Sequence, residues 1–299
     1  MGLVQDTTHM KRRKTLRMNR KLAISKFNLT NSGVSTEKPL IIFRNVQIYD
    51  DRLNGSPKIK TLNLSIPPKQ KVAILSDLST PVSAIFDLLL QLNLETSGAT
   101  FLDSRDISTL KLQDVRKETF YLNKEIPLFA TSLRKNIHPL YPDATNSSTK
   151  LQIFSILKMF NFSNPRFPDL GLELPINPLM ISPDDRTAIG MTRLFMDPKS
   201  ICLLDSIDAR FDFGAILKFG EMLLERLNDS TVIMICERAV TAKFFDRVVI
   251  FREGMVVEDG DPRVLSGGES VGGHVGNDAK VEAGTHFSRM LRKEREIFS

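Results

Sequence analysis

Short apolar runs alternate along the chain with stretches in which apolar positions recur at helical spacing. Residues 41–48 read as a strand, and the turn Asn54-Gly55-Ser56-Pro57 separates them from a second strand at 61–66, where Leu62, Leu64 and Ile66 alternate with polar residues. Residues 71–75 (KVAIL) form a short buried strand, followed by an amphipathic helix over 83–94. Two more apolar runs of strand length lie at 201–204 and 231–236. Residues 247–251 and 255–258, on either side of Glu253-Gly254, form a closing hairpin. Strands alternating with helices predict a largely parallel α/β sheet, with a smaller antiparallel part supplied by the opening and closing strands.

The pattern also sets the organisation. Residues 1–38 carry Leu16, Met18, Leu22, Ile24 and Phe27 without a helical stripe, and read as a flexible arm. The body runs over 39–265. Residues 266–299 comprise a glycine-rich linker (266–276) and a short terminal helix (287–298) with Met290 and Leu291 as its apolar contacts. No run reaches 18 apolar residues: the longest candidate, 84–94, is interrupted by Asp87, Gln91 and Asn93.

Charge changes the picture of the arm. Residues 1–36 hold Lys11, Arg12, Arg13, Lys14, Arg17, Arg20, Lys21 and Lys26 against Asp6 alone, a net +7, while the whole chain carries +6. The body is therefore close to neutral and is not a general nucleic-acid-binding surface, so no specific nucleic acid is expected as a partner. The arm reads either as a solvated extension, or as a targeting or acidic-membrane segment acting through residues 11–26. Cys202 and Cys236 sit in apolar runs and read as buried packing residues rather than a disulfide. His9, His138, His274 and His286 lack metal-ligand spacing, and no metal site is expected.

Several ordered stretches carry a resemblance. They are 43–46 (FRNV), 61–75 (TLNLSIPPKQKVAIL), 96–113 (TSGATFLDSRDISTLKLQ) with Asp114-Val115-Arg116 after it, 128–139 (LFATSLRKNIHP), 198–212 (PKSICLLDSIDARFD), 231–238 (TVIMICER) and 246–262 (DRVVIFREGMVVEDGDP). Together, over about 220 of the 299 residues, they resemble the nucleotide-binding domain of ATP-binding-cassette (ABC) transporters, closest to the multidrug-resistance-associated class. The resemblance implies a P-loop NTPase-like α/β core with an antiparallel β subdomain and an α-helical subdomain at about 130–190. ATP and magnesium are the family's cofactors.

The chemistry that the family needs is largely replaced. A phosphate-binding loop uses glycines so that backbone N–H groups close around phosphate, a lysine for the outer phosphates and a Ser or Thr for magnesium. Here Ser76, Ser79 and Pro81 stand at the glycine positions, Val82 at the lysine and Asp77 inside the loop. Only Ser83 keeps the magnesium-position hydroxyl. By the same resemblance Asp205 is retained, whereas Ser206 takes the place of the general-base glutamate, Lys124 that of a glutamine and Glu237 that of the switch histidine. The signature segment aligns with Ser182, Asp184 and Asp185, placing two carboxylates where glycine and glutamine would meet a partner's ATP. At about 4 Å and an effective dielectric of ~20, each like-charge contact costs roughly 4 kcal/mol. The adenine-stacking aromatic is also displaced, with Tyr49 one residue early and Asp50 in its place. Leu265-Ser266-Gly267-Gly268-Glu269 mimics a signature but lies after the Asp205 segment and reads as linker.

No bound cofactor is expected from this reading. It leaves three functions open: a non-hydrolysing domain docked on transporter membrane domains or on a second nucleotide-binding domain, a scaffold subunit of a soluble or organellar complex, and a weak ATP-binding ATPase. The corresponding locations are the cytoplasmic face of a membrane or a mitochondrion. The arm supplies a direct test. Neutralising residues 11–14 is expected to abolish co-sedimentation of the full chain with vesicles containing phosphatidylserine; unchanged co-sedimentation would make the arm a solvated extension.

Overall fold

The computed structural model describes residues 40–49, 57–77, 80–92, 97–138, 147–267 and 284–298. The arm (1–38), most of the 54–57 turn, Ser79 and most of the glycine-rich linker lie outside these residues. In chain order the first elements are β1 (Ile41–Tyr49), β2 (Pro57–Ile66), β3 (Lys71–Ser76), α1 (Ala84–Leu89), β4 (Ser97–Leu102), β5 (Arg105–Asp106), α2 (Leu112–Glu118) and β6 (Thr119–Asn123). The helices α3 (Leu133–Ile137), α4 (Ser147–Met159), α5 (Phe167–Leu170) and α6 (Pro183–Met196) follow. The chain continues through β7 (Ile201–Asp205), α7 (Phe213–Arg226), β8 (Thr231–Ile235), α8 (Ala239–Ala242), β9 (Arg247–Arg252), β10 (Met255–Gly260), α9 (Pro262–Leu265) and α10 (His286–Phe298). Two compact units result among the described residues: those from 40 to 68 with those of 76–116 and 250–257, and those of 69–75 with those of 117–249 and 258–298.

The first unit is built on an antiparallel sheet in which β1 lies between β2 and β4, pairing Ile41 with both Ile66 and Leu102. β5 extends β4, and β10 joins β2 in parallel through Met255 and Thr61. Period-2 alternation buries Phe43, Val46 and Ile48 of β1 and Leu62, Leu64 and Ile66 of β2, which is why these strands read clearly in the sequence. The alternation is broken by a bulge at Asn45, whose φ is 47° and whose N–H donates to Asn63 Oδ1 at 2.8 Å. β4 crosses this bulge at Gly98, with φ +82°, where a Cβ would lie 2.3 Å from the Asn45 carbonyl oxygen. Helix α1 is shorter than the 83–94 pattern predicts. It stops at Leu89 because Gln91 turns to a φ of 55° and its side-chain amide donates to the Ile107 and Leu110 carbonyls.

The second unit holds a parallel sheet in which β8 pairs with β3 on one side and β7 on the other, and β7 pairs with β6. The apolar runs in β7 and β8 are continuous rather than alternating because their residues are buried on both faces. Cys202 and Cys236 are buried free thiols in this core, and burial raises both, Cys236 well above the ordinary thiol range. Helices α3 to α6 lie between Leu133 and Met196. They are joined to the rest of the unit by aromatic packing, with Phe160, Phe195, Phe211 and Phe219 at centroid separations of 5.7–6.3 Å. Arg193 of α6 donates to the Asn136 and Pro127 carbonyls at 2.6 and 2.9 Å, and burial lowers its guanidinium to about 10. The terminal helix α10 docks through Phe287 and Leu291, with Glu258 accepting the N–H groups of His286 and Phe287 at its start.

Two glycines separate conformational strain from steric exclusion. Gly98→Ala meets both and is expected to destabilise the protein by about 2–4 kcal/mol. Gly267, with φ +87° and nothing within 4 Å of its built Cβ, meets only the first, and Gly267→Ala is expected to cost about 1 kcal/mol. Urea unfolding of the two variants reads the difference, and equal midpoints would mean that β4 yields at the bulge.

Candidate functional site

In the first unit, β3 delivers its last residue, Ser76, into the loop that the resemblance marks as the phosphate site. Instead of opening toward a ligand, the described part of this loop closes on its own chain. Thr80 N–H donates to the Asp77 carbonyl at 3.2 Å, Val82 N–H to Thr80 at 2.8 Å, Ala84 N–H to Pro81 at 3.2 Å and Ile85 N–H to Val82 at 2.9 Å. Asp77 N–H donates to the Phe251 carbonyl at 3.3 Å, and Pro81 has no N–H. The side chains are committed as well. Asp77 accepts the Glu253 N–H at 3.2 Å, and the buried Thr80 hydroxyl accepts the Gly254 N–H at 3.0 Å. These two bonds clasp the turn between β9 and β10, in which Glu253 and Gly254 both have positive φ.

Val82 and Ser83 then diverge. Val82, at the lysine position, is 3% exposed and packs in the core of the unit. Ser83 is exposed and stands at the N-cap position of α1 in a helical conformation, without a side-chain capping bond. Pro81 is exposed. Tyr49 is exposed at the end of β1, on the opposite face from the buried Ile48, and Asp50 lies outside the described residues.

In the second unit the strand register gathers another set. Asn123 of β6 lies opposite Asp205 of β7, and Asp205 lies opposite Ile235 of β8, so the carboxyl ends of three parallel strands form one rim. Ligands of open parallel sheets bind at such ends. Lys124 follows β6 and is exposed. Ser206, 8% exposed, takes a left-handed conformation (φ 55°, ψ 32°), donates its hydroxyl to Asp205 at 3.2 Å and its N–H to the Ile235 carbonyl at 2.9 Å. Glu237 exposes its side chain, while its N–H is turned inward.

The acceptor of that N–H is Asp208, which the sequence reading passes over. Asp208 is fully buried and receives the N–H groups of Glu237 and Arg238 at 3.0 and 3.1 Å, holding the exit of β8. Burial raises its carboxyl to about 6, against the opposing pull of the Glu237 N–H. Its only sequence signal is an acid between apolar residues directly after an apolar strand, a pattern that does not distinguish a buried acceptor from a surface turn.

The signature-like segment behaves differently from expectation. Ser182 caps α6 by accepting the Asp185 N–H at 3.0 Å, and Pro183 opens the helix. Asp184 is exposed. Asp185 is not a second outward carboxylate: it is 3% exposed and accepts the Ser163 N–H at 2.6 Å. Asp185 sits at the third helical position, and its carboxylate reaches the Ser163 N–H, 22 residues earlier in the chain, so a tertiary bond overrides the assumption that both acids face outward. One repulsive charge remains there instead of two.

No family model matches the chain. The chain is similar to curated ABC transporters. It is 26% identical over 230 residues to ABC transporter ecdL of Aspergillus rugulosus, covering 77% of this chain and 15% of the relative. It is 25% identical over 269 residues to ABC transporter C family member 5 of Dictyostelium discoideum, covering 89% and 18%. It is also 25% identical over 216 residues to an ATP-dependent lipid A-core flippase of Nitrosococcus oceani, covering 72% and 36%. Among solved structures, a bacterial Atm1-family ABC exporter with ATP bound superposes with a TM-score of 0.70 at 17% identity, over 89% of this chain and 44% of that one. The chain thus has the fold of an ABC ATPase domain and spans 15–36% of these relatives' lengths. Among the described residues, no helix is long and apolar enough to cross a membrane.

The elevated carboxyl of Asp208 has a consequence for stability. A carboxyl that binds its proton more tightly when folded contributes most below its unfolded value, near 3.8, and loses that contribution as the pH rises through about 6. Relative to Asp208→Asn, the wild-type chain is therefore expected to be more stable at pH 5 than at pH 7.5 by roughly 1–2 kcal/mol. Urea unfolding of both proteins at the two pH values measures this, and a pH-independent difference would mean that Asp208 titrates normally.

Proposed function

We propose that this chain is a degenerate, non-hydrolysing ABC domain that acts as a docking or regulatory partner of a membrane transporter. The observation that carries the reading is the use of the loop after β3. The N–H groups of Asp77, Thr80, Val82, Ala84 and Ile85 are bonded within the protein, and Val82 fills core space where a cation would face phosphate. A phosphate cradle acts through convergent N–H donors and a lysine, each charge-assisted contact worth roughly 1.5–3 kcal/mol. With those contacts missing, ATP and magnesium are not expected as resident cofactors.

Hydrolysis needs in addition a group that orients water against the γ-phosphate. Ser206 is bonded to Asp205 and offers no carboxylate, and Glu237 would add negative charge instead of a histidine's hydrogen bond. The transport association rests on the relatives: two of the three described above are named ABC transporters and the third a lipid A-core flippase, and the chain corresponds to a fraction of their length. Its partners would then be the membrane domains of an ABC transporter or a second nucleotide-binding domain, at the cytoplasmic face of a membrane.

Calorimetry with magnesium-ATP is expected to give a Kd no tighter than roughly 1 mM, about 4 kcal/mol of binding, with phosphate release at background. Val82→Lys is expected to gain no affinity and to destabilise the protein by about 2–4 kcal/mol, because the new ammonium enters an apolar core. Micromolar affinity would overturn the degenerate reading. Co-purification from detergent-solubilised membranes tests the docking role, and recovery with soluble proteins alone would overturn it.

A further inference from the structure

A cleft of about 910 Å³ opens in the second unit, lined by the segment before and at the start of α7, by residues around α8 and by α10. Its interior is apolar: Phe211, Ile216 and Leu291 are 2%, 1% and 7% exposed, and Phe213, at the start of α7, is 66% exposed. Ionic groups also line it, the cations Arg210, Arg238 and Lys243 and the carboxylates Asp212 and Glu294.

The two signs are not equally available. Asp212 caps α7 by accepting the Ala215 N–H at 2.6 Å and also accepts from the Asn161 amide at 3.2 Å. Glu294 accepts the N–H groups of Ala239 and Val240 at 2.5 and 3.0 Å. Both carboxylates are thus occupied by donors of the protein. The side chains of Arg210 and Lys243 are exposed and make no hydrogen bond or ion pair among the described residues.

We propose that this cleft is a binding site for an amphipathic organic anion, whose apolar body lies against Phe211, Ile216 and Leu291 and whose carboxylate or sulfonate head pairs with Arg210 and Lys243. The volume falls within the several hundred Å³ typical of small-molecule sites, in which an apolar lining supplies affinity and a few polar groups fix orientation. The guanidinium of Arg210 can receive a carboxylate or sulfonate through two parallel hydrogen bonds, and Lys243 adds a second point charge. A neutral molecule of the same shape would leave both cations unpaired, and a cationic one would meet them directly. The site uses none of the nucleotide-site residues and stands independently of the proposed docking role.

The test uses the full chain and the fluorescent probe 1-anilinonaphthalene-8-sulfonate. Saturable single-site binding is expected, reversed by dodecanoate at concentrations at least about tenfold lower than dodecanol. The double variant Arg210→Glu, Lys243→Glu is expected to bind the probe at least about tenfold more weakly with an unchanged unfolding midpoint, since both side chains are exposed. Phe213→Asp, also at an exposed position, is expected to weaken binding in the same direction. Equal displacement by dodecanoate and dodecanol, non-saturable binding, or a double variant within twofold of the parent would each overturn the proposal.

Discussion

Backbone N–H groups at the ends of strands and helices need acceptors, and in this chain many of those acceptors are its own carboxylates. Asp77 takes the N–H of Glu253, Asp185 that of Ser163, and Asp208 those of Glu237 and Arg238. Asp246 takes the N–H of Lys71, Glu258 those of His286 and Phe287, and Glu294 those of Ala239 and Val240. Hydrogen bonds to a charged acceptor are worth about 1.5–3 kcal/mol each, and a buried donor left unpaired costs a similar amount. The Asp208 and Asp77 carboxylates thus fix the exits of β8 and β9, and the others fix the start of β3, the starts of α8 and α10 and the loop at Ser163.

The same bonds bear on ligand chemistry. A loop that binds phosphate leaves its N–H groups convergent and unpaired until the anion arrives. Here the loop after β3 donates inward, and its Asp77 and Thr80 side chains clasp the Glu253-Gly254 turn. Burial of Val82 continues the logic, because a side chain that fills core space stabilises the fold and offers nothing to a phosphate. On the proposed reading, groups placed for nucleotide chemistry in ABC ATPases have been turned to holding the structure together.

Strands β1 to β3 and β7 to β10 were legible because their signal is local, whereas β4, β5 and β6 were not read. Alternation in β1 and β2 and continuous apolar runs in β7 and β8 follow from burial on one face or two, and the observed ends differ from the pattern by one residue in most strands. The length of α1 was not legible, since Gln91 stops the helix by bonding carbonyls sixteen and nineteen residues away. Asp185 and Asp208 show the same limit. Asp185 lies in a polar stretch and Asp208 between apolar residues, and only tertiary folding places the Ser163, Glu237 and Arg238 N–H groups against them. The alignment of the loop placed Val82 at a lysine position, but its burial depends on packing that spacing does not encode.

The central claim, that the Thr80, Val82, Ala84 and Ile85 N–H groups of the loop after β3 are held by the protein itself, is tested most directly by amide hydrogen exchange. NMR of the full chain at neutral pH, with and without about 0.1 mM magnesium-ATP (on the order of ten times a micromolar-range Kd and a tenth of 1 mM), would follow the Thr80, Val82, Ala84 and Ile85 amides. These amides are predicted to exchange slowly in the free protein and to keep both their shifts and their exchange rates when nucleotide is added. Rapid exchange in the free protein, or shifts in these amides that saturate with magnesium-ATP, would show a loop open to phosphate and would contradict the account.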